Sequence, residues 1–150
     1  MHQRIILREA SWPADAPALI RIRREVFIEE QGVPEVLEFD GLDPAALHWL
    51  ATTGAGEPVA TLRMLPSGQI GRMAVRRDWR GNGIGSRLLD CALDAARQHG
   101  WNQVWLNAQV DRVGFYARHD FFIISDAFED AGIPHRRMLR RLRQPLSVAC

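Results

Sequence analysis

The segment "RGNGIG", Arg80 to Gly85, sets three glycines at alternate positions between an apolar run and a long apolar-periodic stretch. Glycine reaches positive φ without steric cost and lets a ligand approach the main chain, so a strand, a glycine turn and a helix N-terminus together can cradle phosphate. The spacing is Gly-x-Gly-x-Gly, which is neither the dinucleotide fingerprint nor the P-loop, and both of those readings lack residues they need. Five histidines (His2, His48, His99, His119, His135) and two cysteines (Cys91, Cys150) show no ligand pair at zinc-site spacing, so no metal is expected. Cys91 falls inside a helical pattern and Cys150 is the last residue, and a bridge would need the tail to reach a buried helix face. No structural disulfide is expected.

The glycine loop needs elements to position it. "RIILRE" reads as a strand, followed by Asp15 as N-cap of a helix with Leu19, Ile22, Val26 and Phe27 at helical spacing. "EEQGVPEVLEFDGLD" reads as an irregular connection with one short helical turn, and "HWLATT" and "PVATLRML" as strands around the turn "GAGE". After "PSG" comes the strand "QIGRMAV". Ile84, Leu88, Leu89, Ala92, Leu93 and Ala96 keep to one helical stripe, which Gly100 ends. "QVWLNA" is a strand, "RVGFYARH" a short helix, "FFIISDAF" a strand, and a last strand lies within "RRMLRRL". The order is strand, helix, three strands, helix, strand, helix, two strands, without repeats or low-complexity linkers.

At 150 residues, 47% hydrophobic and 25% charged, the chain fits a single globular domain, 1–150. Its 19 Lys and Arg against 18 Asp and Glu give a net charge of +1, so no global field selects nucleic acid or anionic membrane. No apolar run approaches the roughly 18 residues of a membrane span, and "MHQRIILREA" lacks the apolar core of a signal peptide, so a cytoplasmic protein is expected. The arginines of "HRRMLRRLR" (Arg136, Arg137, Arg140, Arg141, Arg143) suit an anionic partner such as RNA or a solvated edge strand. No aromatic interleaving accompanies them, which favours the edge and argues against a nucleic-acid partner. Trp12, Trp49, Trp79, Trp101 and Trp105 read as core or loop packing, with Trp79 close enough to the loop to flank a ligand.

The loop thus sits where a strand ends and the best helix begins, and there "MAVRRDWRGNGIGSRLL" resembles the acetyl-CoA-binding motif of the GNAT superfamily of N-acetyltransferases. Arg80, Gly83 and Gly85 match its signature in order. "VFIEEQGVPEVLEFDGLD" and "AGIPHRRM" resemble the ElaA-like/YjcF-like branch, and "NAQ" with "FYARHDF" resembles its cofactor-side strand and helix. The resemblance implies an α/β (α+β) fold: a mixed, mostly antiparallel sheet of about seven strands, flanked by helices on both faces and splayed between the fourth and fifth strands. It also implies acetyl-CoA as acyl donor, a small-molecule or peptide amine as acceptor, no metal, and room for a homodimer through sheet edges.

For the site, the resemblance implies that the amides of Arg80, Gly81, Asn82, Gly83, Ile84, Gly85 and Ser86 face the CoA diphosphate. Met73, Ala74 and Val75 would pair with the pantetheine arm like an added strand, with the Val75 amide on the thioester oxygen. Asn107 and Ala108 would line the neighbouring strand, and Tyr116 would lie near the sulfur. Attack by an amine forms a tetrahedral oxyanion, after which the thiolate leaves. Tyr116, the only tyrosine, would give that thiolate a proton, or else simply packs its helix. A lysine-like amine of pKa about 10.4 costs roughly 4.6 kcal/mol to hold neutral at pH 7. Glu30, His48 and His135 are candidate bases, against readings in which Glu29, Glu30, Glu35 and Glu38 form a solvated acidic face and the histidines are hydrogen-bonded strand residues.

Two positions depart from the family pattern. Asp120 stands before Phe121 where glycine usually closes the tyrosine helix in a left-handed conformation, and Arg112 and Val113 replace smaller residues. A non-catalytic acyl-CoA sensor or scaffold would share the loop and differ at Tyr116 and the acceptor pocket. The acidic connection would suit a cationic amine, though the same composition suits a plain solvent-facing loop.

Overall fold

The computed structural model describes residues 4–143 and has a mixed α/β architecture. The strands are β1 (Ile5–Ala10), β2 (Leu47–Thr53), β3 (Pro58–Met64), β4 (Gln69–Val75), β5 (Gln103–Gln109), β6 (Phe122–Ile123), β7 (Phe128–Asp130) and β8 (Ile133–Arg141). The helices are α1 (Ala16–Arg23), α2 (Glu35–Glu38), α3 (Ile84–Gln98) and α4 (Val113–Ala117), and a π-helical stretch, Arg24–Glu30, continues α1. The chain divides at Ala92/Leu93 into two compact units.

In the first unit β1, β2, β3 and β4 succeed one another in an antiparallel meander. The "GAGE" turn closes through Gly56, at φ +87°, with its amide on the Thr53 carbonyl. Register places Leu50, Thr61 and Ala74 on one face, and there Leu19, Ile22 and Val26 join Leu50 and Ala74 in a buried cluster. The helical spacing read from the sequence is therefore the packing stripe of α1 for Leu19 and Ile22, and it runs on to Val26 in the π-helical stretch that continues it. Asp15 behaves differently from expectation. Its carboxylate caps no helix N–H; it accepts two bonds from Arg8, at 2.7 and 2.9 Å, and one from the Ser11 amide at 2.9 Å. Those bonds tie β1 to the start of α1 and hold the Asp15 pKa down at about 2.

The segment read as acidic and irregular is held by buried ion pairs. Arg23, 1% exposed at the end of α1, donates to Glu38 at 2.9 Å and to Asp43 at 2.8 and 3.2 Å. Arg63, inside β3, reaches Asp40 at 2.8 and 2.9 Å and Asp43 at 3.1 Å, while its own Nε has no partner. Arg72 on β4 closes the set with an ion pair to Glu38 at 3.1 Å. Three guanidinium groups thus meet three carboxylates, and removing one partner strands a buried charge. Of the expected acidic face, Glu38 is interior, Glu35 pairs with Arg24, and Glu30 pairs with Arg80.

In the second unit β8 is central, pairing antiparallel with β5 on one side and with β6 and β7 on the other. The arginine run is therefore not an edge. Arg137 lies over the Trp105 ring at 4.4 Å, and Arg140 donates to the His119 carbonyl at 2.8 Å. The expected strand "FFIISDAF" is two short strands, because the Ser125 hydroxyl oxygen accepts the Arg137 amide at 2.8 Å and so replaces a ladder bond. β7 and β8 join through Ala131 and Gly132, both at positive φ (52° and 76°), a two-residue hairpin that yields eight strands where about seven were expected. His2 and Cys150 lie outside the described residues.

Arg23→Ala should lower unfolding free energy by about 3–5 kcal/mol in urea, because the buried Glu38 and Asp43 each lose one of their two guanidinium partners and three carboxylates are left facing two arginines. Burial pushes the Asp40 and Asp43 carboxyls up, but the bonds and charge of Arg63 on Asp40, and of Arg23 and Arg63 on Asp43, outweigh it and leave both below the ordinary value. For Glu38, burial wins and its pKa is raised. The two aspartates thus stabilise the fold fully above about pH 4, and that contribution is lost as pH falls through their depressed values. Glu38 opposes this, since its ionisation is harder in the fold. Melting temperature should fall below about pH 4, and Asp40→Asn should be less stable at pH 7 with a shallower acid fall.

Candidate active site: the glycine loop and its supports

β4 ends at Val75, a single 3-10 turn spans Arg77–Trp79, and α3 begins at Ile84. Between them Gly81 and Gly83 stand at φ +80° and +75°, where L side chains are strained. A Cβ built on either would meet no atom within 4 Å, so the left-handed backbone, rather than crowding, requires glycine there. The Asn82 side-chain amide donates to the Trp79 and Arg80 carbonyls at 3.0 and 3.3 Å and holds the loop closed on itself. Arg87 makes the first helical bond, to Gly83 at 3.1 Å, so the loop amides precede the helical ladder at the positive end of a 15-residue helix.

Arg80 contributes by its side chain as well. Its Nε donates to the Val75 carbonyl at 2.8 Å, and its two terminal nitrogens meet both Glu30 oxygens at 2.7 and 2.8 Å. Glu30, expected as a candidate base, is therefore a bidentate partner that joins the π-helical stretch to the end of β4. Arg76 adds a parallel tie to Glu25 at 2.6 Å and to Glu57 at 2.8 Å.

Within β4 the register to β3 slips. Thr61 faces Ala74 and Arg63 faces Gly71, so Leu62 alone faces both Arg72 and Met73. This is a β-bulge, and Arg72 occupies it at φ +50°. Met73, Ala74 and Val75 come next, with Ala74 in the buried cluster. Sequence reading named these three and missed Arg72, although a large charged residue at the start of "RMAV" inside an apolar strand was the available signal.

In the second unit Asn107 faces Arg137 across β5 and β8, and its Oδ1 accepts from Arg137 Nε at 3.0 Å. Ala108, next to it, is buried. Tyr116 lies half-buried on α4, edge-on to Phe115 at 5.0 Å and Phe121 at 5.9 Å. Burial raises the pKa of its phenol, against a smaller opposing effect of Arg112, so the proton stays on. Asp120 adopts φ +66°, the left-handed closure expected of glycine, and the Phe121 amide returns to the Tyr116 carbonyl at 3.2 Å. His135, at the start of β8, has Nδ1 2.6 Å from the Ile133 carbonyl and stacks on Phe128. That contact puts the proton on Nδ1 and the lone pair on Nε2.

His48 is a support of the ion-pair set. It is buried, its Nε2 lies 2.9 Å from the Asp43 carbonyl, its ring stacks on Trp12 at 5.3 Å, and burial lowers its pKa. Among the described residues no group of three or more His, Cys, Asp or Glu could hold a metal ion, and no helix is long and apolar enough to cross a membrane. Asp120→Gly should raise stability by about 0.5–1 kcal/mol, because glycine takes this φ without strain; a melting point that falls instead would mean that the carboxylate, 4.0 Å from Arg140, matters more.

A family model for an acetyltransferase (GNAT) domain matches residues 13–142. The uncharacterized N-acetyltransferase YjcF of Bacillus subtilis is 34% identical over 123 residues, covering 79% of this chain and 87% of YjcF. Among solved structures, ElaA of Escherichia coli is similar with a TM-score of 0.82 at 29% identity, over 91% of this chain and 99% of ElaA. An acyl-CoA N-acyltransferase from Pseudomonas aeruginosa is similar with a TM-score of 0.79 at 30% identity, over 93% of this chain and 99% of that one. With motif, fold and relatives in agreement, this chain belongs to the GNAT acetyltransferases, a family that uses acyl-CoA, in the branch of YjcF and ElaA.

Proposed function

We propose that this chain, as one GNAT domain, transfers an acetyl group from acetyl-CoA to a primary amine by direct attack on the thioester. The observation that carries the reading is the strand–glycine loop–helix of residues 73–86, with left-handed Gly81 and Gly83 ahead of the first helical bond. A diphosphate placed there meets main-chain amides and roughly half a positive charge from α3, without any side chain to displace. Met73, Ala74 and Val75 offer strand-type pairing to the pantetheine arm, and the Val75 amide supports the developing oxyanion.

Glu30 keeps Arg80 folded onto the Val75 carbonyl, so the strand end and the loop are pre-organised together. Asn107 has Oδ1 taken by Arg137 and offers its side-chain NH2 to the donor. Tyr116 is protonated in the ground state, and in this reading its proton passes to the sulfur as the thioester C–S bond breaks, the phenol then regaining a proton from solvent. Because both Glu30 oxygens accept from Arg80, we assign proton acceptance to His135 Nε2, the imidazole atom left basic by the Ile133 contact.

Thermal unfolding with acetyl-CoA, and with NAD and ATP in parallel, tests the donor. At 100 times its dissociation constant a ligand adds about 2.7 kcal/mol, a rise of several degrees for a domain of this size. A rise with acetyl-CoA alone supports the reading, whereas no rise, or an equal rise with ATP or NAD, removes it. Gly83→Asp should abolish the rise, since a carboxylate would sit where the diphosphate does. In a thiol-release assay with amine acceptors, Tyr116→Phe should keep the rise and lower turnover roughly 10- to 1000-fold, and unchanged turnover would end its role. His135→Gln should keep the rise with acetyl-CoA and lower turnover, and unchanged turnover would end its role.

A further inference from the structure

We infer that Arg72 is a positioning residue for the acyl-CoA strand: clamped by the 37–40 segment, its side chain holds the left-handed bulge that sets the direction of Met73, Ala74 and Val75. The inference rests on the proposed pairing of that strand with acyl-CoA.

Arg72 is one of three non-glycine residues at positive φ among the described residues, and the one inside a strand. Left alone, an arginine at φ +50° relaxes into ordinary strand geometry, and the bulge disappears. The side chain supplies the opposing force. Nε donates to the Glu38 carbonyl at 3.2 Å, and Nη2 donates to the Leu37 and Glu38 carbonyls at 3.3 and 3.1 Å and to Asp40 at 3.2 Å. Nε also lies 3.1 Å from the Glu38 carboxylate. These acceptors are themselves fixed, since Arg23 holds Glu38 and Arg63 holds Asp40.

The bulge re-aims the end of β4. Strand residues alternate between faces with period two, and one extra residue inverts the alternation beyond it. Ile70, paired with Met64, and Ala74, paired with Thr61, are four residues apart and are both buried, yet lie on opposite faces. Without the extra residue Met73, Ala74 and Val75 would each present the other face, and the Val75 amide would point the wrong way for the ligand.

A competing account is that Arg72 merely neutralises Glu38 and Asp40. Arg72→Ala and Arg72→Gly separate the two, because both delete the guanidinium but glycine takes positive φ freely. Calorimetric titration with acetyl-CoA should give a dissociation constant about tenfold weaker for Arg72→Ala and within about threefold of the parent for Arg72→Gly. Titration with 3′-phospho-ADP, which reaches the glycine loop and has no pantetheine arm, should be nearly unchanged in both. Equal weakening of acetyl-CoA by alanine and glycine, or none with alanine, overturns the inference and leaves the donor assignment standing. Failure of the parent protein to bind acetyl-CoA removes both. Should Arg72→Ala not fold, Asp40→Ala, which deletes one acceptor of the clamp, should weaken acetyl-CoA about twofold to threefold and leave 3′-phospho-ADP unchanged; identical affinity for acetyl-CoA would contradict the clamp.

Discussion

The set of guanidinium–carboxylate contacts joining Arg23, Arg63 and Arg72 to Glu38, Asp40 and Asp43 is the constraint on which the first unit depends. It ties together α1, β3, β4 and a connection with little regular structure of its own. Apolar packing alone would leave that connection loosely held, since Val36, Leu37 and Leu42 are exposed. The carboxylates turn inward instead, and their charge is matched by arginines of the sheet and of α1. A buried pair contributes little net stability relative to apolar packing, but breaking one is costly, so such a set specifies one arrangement more than it deepens the well.

Arginines repeat this role across the chain. Arg80 binds the Val75 carbonyl and Glu30, Arg76 binds Glu25 and Glu57, and Arg140 caps the end of the tyrosine helix through the His119 carbonyl. A planar fork with five donors suits such bridging where lysine would supply a single point. The consequence for function is that the loop and the strand before it are braced by side chains, so the backbone amides of that strand and loop sit in a fixed frame. Preorganised amides are worth more to a developing oxyanion than mobile ones, because no reorganisation is needed at the moment of reaction.

Much of this was legible in the sequence. The stripe Ile84, Leu88, Leu89, Ala92 is buried on α3, Gly81 and Gly83 of "RGNGIG" take the left-handed geometry that the spacing suggested while Gly85 is already helical, and Asp120 takes the left-handed closure expected of glycine. Less legible was the pairing of charges. Glu30 and Glu38 look alike in a run of acids, and only the register of β3 and the end of α1 decide that one meets Arg80 near the surface and the other meets Arg23 in the interior. The β7–β8 hairpin was hidden because Ala131-Gly132 is not the Asn-Gly or Asp-Gly turn by which two-residue hairpins announce themselves. Asp15 carried a capping signal, yet Arg8 lay close enough to take its carboxylate, and a distant charge outweighed the local preference.

The central claim is that the main chain of residues 73–75 and 80–86 receives the acyl donor. Amide proton–nitrogen correlation spectra recorded during a titration with acetyl-CoA test it most directly. The account predicts that the largest shifts fall on the amides of Gly81, Asn82, Gly83 and Ile84, with a second group at Ala74 and Val75. Shifts concentrated elsewhere in the chain, with the glycine loop unmoved at saturation, would contradict it.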